Sequence, residues 1–105
     1  MPARVYSIDS VDLLVTKTNP PGLQVHVQGQ VASSGWSRFS LQYFVYVVPP
    51  ADGIYEADLV GEPPEDISLP VLTPFSHDGT RLPFPEDLKG LKVYSATNSV
   101  SAMLP

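Results

Sequence analysis

Leu23-Gln24-Val25-His26-Val27-Gln28-Gly29-Gln30-Val31 alternates small or apolar residues with polar ones without a break. A period of two belongs to a strand with one face on a core and the other in water. Upstream, residues 11–18 are rich in Val, Leu and Thr, and Asn19-Pro20-Pro21-Gly22 combines fixed φ angles with a residue free to take positive φ. The two runs therefore predict a hairpin, with residues 4–9 as a preceding strand or as the first half of the same bent one.

Downstream, residues 38–48 carry Phe39, Leu41, Tyr43, Val45 and Val47 on one face and Phe44, Tyr46 and Val48 on the other. A strand apolar on both faces is expected at the centre of a sheet, with its second side covered. Pro49-Pro50-Ala51-Asp52-Gly53 ends it, and residues 54–60 form a further strand with Tyr55, Ala57 and Leu59 on one face. Residues 67–73 predict a short edge strand, because Pro70 cannot donate a ladder hydrogen bond. Residues 74–85 form the longest irregular stretch. One helical turn is expected near 85–90, where proline, acids, lysine and glycine follow in that order. Residues 91–97 and 99–104 close the chain as two strands around Asn98. No stretch of ten residues keeps a helical period, and the prolines other than Pro70 fall between or outside the runs. The fold expected is all-β: one domain over 1–105, an antiparallel immunoglobulin-like sandwich of about seven strands.

With 43% hydrophobic and 16% charged residues, the chain has the means to build a core and is not a disordered segment. It has no cysteine, which excludes disulfides, thiolate metal sites and a cysteine nucleophile. The net charge is −5, unevenly spread: residues 39–80 hold seven acids and no Lys or Arg, while the remainder holds all six basic residues and four acids. Phosphate-backbone binding needs clustered cations, so nucleic acid is not expected as a partner. No apolar run is long enough for a membrane helix, and the N-terminal residues lack the apolar core of a signal peptide, so a cytoplasmic protein without membrane contact is expected.

Four groups of residues invite a functional reading. Asp52, Glu56 and Asp58 are hard oxygen donors of the kind Ca²⁺ takes, although their spacing matches no EF-hand loop and a solvated acidic face is the plainer explanation. His26 and Gln28 lie among Gln24 and Gln30 on the polar face of one strand, where amides and an imidazole can meet sugar hydroxyls. His77-Asp78-Gly79-Thr80 sets a histidine beside an acid, but a triad needs residues brought together from a distance, and an Asp-Gly turn is the plainer explanation. Trp36 either plugs the core or joins Phe44 and Tyr46 in an aromatic contact patch.

The runs Ser34-Gly35-Trp36-Ser37 through Ile54-Tyr55-Glu56 and Val93-Tyr94-Ser95-Ala96-Thr97-Asn98-Ser99-Val100 resemble small bacterial β-sandwich proteins of unassigned function. The resemblance spans about two-thirds of the chain and implies no activity. With no catalytic spacing in view, the sequence points to a non-enzymatic protein-interaction module without a cofactor, self-associating as a homodimer or bound to another protein through the face of Phe44 and Tyr46 or through the Pro70 edge strand. A small-ligand or carbohydrate-binding module, assisted by calcium, is the other reading.

Overall fold

The computed structural model describes residues 2–17, 19, 21–65, 69–81, 85 and 87–104. Those residues contain eight strands and no helix: β1 (Ala3–Arg4), β2 (Ser7–Val15), β3 (Leu23–Val31), β4 (Ser37–Tyr43), β5 (Ile54–Glu62), β6 (Thr73–Arg81), β7 (Gly90–Tyr94) and β8 (Ser99–Met103). They form two sheets. One runs β2-β3-β6, and the other has β5 at its centre, with β4 on one edge and β7, β8 and the short β1 on the other side.

The alternation in β3 sets the core. Leu23, Val25, Val27 and Val31 are almost fully buried, and they share one hydrophobic cluster with Tyr55, Ala57 and Leu59 of β5 and Leu91 and Val93 of β7. Each such aliphatic side chain stabilises the fold by about 1.5–3 kcal/mol relative to exposure. The β2–β3 hairpin closes where Thr16 N–H donates to Gly22 O at 2.8 Å. Thr18 and Pro20 of the predicted turn lie outside the described residues.

Two seams join the sheets. At one, the turn after β7 meets the N-terminal segment: Ala96 N–H donates to Val5 O, Thr97 N–H to Tyr6 O, and the Asn98 amide bonds both backbone groups of Ile8. At the other, side chains of β4 and β6 interlock. Phe39 stacks on Phe75 with ring centroids 4.7 Å apart, Leu41 lies over Gly79, and the Arg81 guanidinium sits 4.5 Å from the Tyr43 ring centroid.

The structure differs from the sequence expectations at six points. There are eight strands rather than seven, because the N-terminal run splits between the sheets as β1 and β2. The pairing is not antiparallel throughout: β5 and β7 run parallel, since the chain visits the other sheet as β6 between them. The predicted strand over 38–48 ends at Tyr43, because the chain then leaves β5 toward Pro49 and Pro50, and Val45 and Val47 finish in solvent rather than in the core. The segment read as the longest loop contains β6, whose Phe75, His77 and Gly79 face inward against Gly29, Val27 and Val25 of β3. The strand expected at 67–73 is irregular from Leu69 to Leu72, and Ile67 and Ser68 lie outside the described residues. Near 85–90 there is one turn, Leu88 N–H to Pro85 O at 3.1 Å, with no helix; Glu86 lies outside the described residues.

Candidate functional site

Residues 44–50, between β4 and β5, are held at Phe44 and Tyr46 and expose Val45, Val47 and Val48. Phe44 N–H donates to Glu56 O at 2.9 Å, and the Phe44 ring stacks on Tyr94 at 5.7 Å between centroids. Tyr46 meets Tyr55 edge-on at 5.5 Å. The Tyr46 hydroxyl donates to Glu56 Oε1 at 3.1 Å, and the Tyr94 hydroxyl donates to Oε2 of the same carboxylate. Glu56 is thereby a clamp on the loop. The Tyr46 hydroxyl is pushed above its ordinary pKa by burial and then by its bond to Glu56, and that of Tyr94 by the Glu56 bond first.

Outside this anchor, Val45, Val47 and Val48 are 96%, 103% and 73% exposed. Their backbone groups make no hydrogen bond among the described residues. Val45, Val47 and Val48 thus form an exposed apolar patch, with a bend at Val47 and Val48.

Behind the loop lies a depression of about 370 Å³ lined by Tyr43, Tyr46, Pro49, Tyr55, Arg81 and Pro85. The Arg81 guanidinium stands over both Tyr43, at 4.5 Å, and Tyr55, at 5.6 Å. The Tyr55 hydroxyl donates to Asp87 Oδ1 at 2.9 Å. Burial raises the Tyr43 hydroxyl pKa, with Arg81 pulling weakly the other way.

The other predicted residues lie elsewhere. Trp36 packs against the core at the opposite end of β4, next to Gly61, and its indole N–H donates to Ser33 Oγ at 3.2 Å. It is separate from Phe44 and Tyr46. His26 and Gln28 occupy the outer face of the β2-β3-β6 sheet: His26 Nδ1 lies 2.5 Å from Asp78 Oδ1, Asp12 stands opposite His26 on β2, and Ser10 Oγ donates to Gln28 Oε1 at 3.4 Å. A shallow depression of about 320 Å³ runs over Asp12, Leu14, Gln24, His26, Asp78 and Thr80. Asp78 therefore serves His26 and not its chain neighbour. His77 points to the inner face, where burial lowers its pKa despite the nearby Asp78.

The three acids considered for calcium are each engaged separately. Asp52 Oδ1 accepts Ile54 N–H at 3.0 Å, Glu56 takes two tyrosine hydroxyls, and Asp58 pairs with Arg4 at 2.8 Å. Among the described residues no group of three His, Asp or Glu side chains is arranged to hold a metal ion, and no helix is long and apolar enough to cross a membrane. Sequence reasoning missed Arg81 and Tyr94. Strand parity was the available signal: once 73–81 is a strand, Arg81 shares a face with Phe75, His77 and Gly79. Comparison with protein-family models, with curated proteins and with solved structures finds no match to this chain.

Proposed function

We propose that this chain is a non-enzymatic interaction module that pairs with a second copy of itself through residues 45–48. The observation that carries the reading is the exposure of Val45, Val47 and Val48 on a loop anchored through Phe44 and Tyr46. An antiparallel pairing of this segment about a two-fold axis sets the same valines against each other and uses the unbonded backbone. Charge supports a like partner: residues 39–51 carry no charged side chain, so two chains of net charge −5 can meet there without opposed carboxylates. Pro49 and Pro50 end the open edge after four residues, which favours a closed pair over a growing fibre. The patch is far smaller than the roughly 800 Å² per partner of a stable complex, so the association is weak.

An immunoglobulin-like sandwich as its frame draws support from the N-terminal segment shared between two sheets with a common core, while the parallel β5–β7 pair departs from that plan. Sedimentation velocity over a dilution series reaching about 1 mM, the scale of weak affinity, tests the pairing. The sedimentation coefficient should rise with concentration, and Val47→Lys should remain monomeric throughout. A wild-type chain that stays monomeric at the highest concentration rules the pairing out.

A further inference from the structure

The depression behind the loop has one arginine and three tyrosines around it, and among the described residues no acceptor serves all of their donors. Tyr46 donates to Glu56 and Tyr55 donates to Asp87. Tyr43 Oη, in contrast, is buried with no hydrogen-bond partner among the described residues, and so is Nη1 of Arg81, whose guanidinium lies over the Tyr43 ring. Arg81 has no carboxylate partner among the described residues; its charge rests only on the faces of Tyr43 and Tyr55. Leaving buried donors unmade costs about 1–3 kcal/mol each, so a turn of these two side chains toward an acceptor in the depression is favoured.

From this we infer that the depression binds a singly charged carboxylate, with its oxygens on the Arg81 guanidinium and the Tyr43 hydroxyl and its apolar body against Tyr46, Pro49 and Pro85. A planar carboxylate matches the guanidinium fork in two parallel hydrogen bonds. Its one negative charge balances Arg81, whereas a phosphate dianion would add a second charge close to Glu56 and Asp87, which already serve the neighbouring hydroxyls. The volume of about 370 Å³ lies at the small end of ligand sites and suits an acid with a single ring. Two sources share this chemistry: a free small acid and the C-terminal carboxylate of a peptide.

The test is an NMR titration of the ¹⁵N-labelled chain with phenylacetate, with N-acetyl-phenylalanine to represent a peptide C-terminus, and with the neutral amide of each. Saturable shifts at residues 43–49 and 81 are expected with the acids, and at least about tenfold weaker binding with the amides. Phenylacetate binding alone assigns a free acid as the source, and N-acetyl-phenylalanine binding alone assigns a chain terminus. Tyr43→Phe, which keeps the ring under Arg81, should weaken the acid about fivefold, the worth of one hydrogen bond. Arg81→Lys keeps the charge but loses the fork, and should weaken it more. Absence of saturable shifts with either acid, equal binding of acid and amide, or unchanged affinity in both variants overturns the inference.

Discussion

Replacing Asn98 with alanine should separate the two sheets along one seam. The Asn98 side chain acts as a substitute strand partner for Ile8: its Oδ1 accepts Ile8 N–H at 2.8 Å and its Nδ2 donates to Ile8 O at 2.9 Å. Asn98 Oδ1 also receives the Ser95 hydroxyl at 2.6 Å, which orients the amide. The need arises in β2, where the register with β3 shifts between Ile8 and Ser10, and Ile8 itself is 2% exposed. In Asn98→Ala both backbone groups of Ile8 lose their partners, whereas Ser95 Oγ keeps its bond to the Asn98 carbonyl. Two orphaned groups at about 1–1.5 kcal/mol each give roughly 2–3 kcal/mol, and access of water from the solvent side of Asn98 favours the lower end. For a domain of this size about 2 kcal/mol lowers Tm by about 8–16 °C. Urea unfolding should show a lower midpoint with an unchanged slope. Asn98→Asp keeps the acceptor but turns a carboxylate toward Ile8 O, and should lose at least half as much. A change below about 0.5 kcal/mol in Asn98→Ala would mean that water replaces the amide and that the seam is held elsewhere.

At Gly29 an added Cβ would stand 2.2 Å from Ser7 O and 2.9 Å from Phe75 Cε1, so Gly29→Ala should cost about 3 kcal/mol in thermal or urea unfolding; at Gly79 the nearest contact is an ordinary 3.4 Å, so Gly79→Ala should cost under about 1 kcal/mol. Similar losses at both sites would refute the register assigned to β3. Burial lowers the His77 pKa in the folded chain, so between that value and about 6.5 the unfolded chain binds more protons, and stability present above pH 6.5 falls as the solution is acidified. His77→Gln should flatten that part of the stability profile, and an unaltered profile would show that His77 is already solvated. Adding calcium should leave Tm in place, because Glu56 and Asp58 are committed to Tyr46, Tyr94 and Arg4; a rise of several degrees would show that the ion displaces them.

The core was legible because it depends on parity alone. Leu23, Val25 and Val27, like Tyr55, Ala57 and Leu59, fall on inward faces from their spacing in the chain, and each set is buried. The readings that failed followed local signals which distant partners outweigh. Asp78-Gly79 has turn chemistry, yet Gly79 is in a strand, under Leu41, and Asp78 is matched by His26 from β3. Residues 44–48 have strand chemistry, yet the carboxylate of Glu56 gathers Tyr46 and Tyr94 and draws the chain out of its ladder.

The candidate site illustrates why its members resisted sequence reading even where each was conspicuous. Phe44 and Tyr46 stand out as aromatics, but what fixes them is Tyr94, which lies beside β5 only because β7 returns parallel to it and sets Tyr94 opposite Asp58. Arg81 reaches Tyr43 only because β6 lies at the edge of one sheet and β4 at the edge of the other, where their side chains close the seam. Neither placement follows from a period of two, which says which face a residue takes but not which strand lies next to it. The valines carry the complementary lesson. Val45 and Val47 continue the inward parity of Phe39, Leu41 and Tyr43, and that parity loses its meaning once the strand leaves its neighbour at Tyr43. An apolar run that outlasts its pairing partner keeps the pattern of a strand and the exposure of a loop, and that combination is the physical basis for proposing that residues 45–48 pair with a second copy.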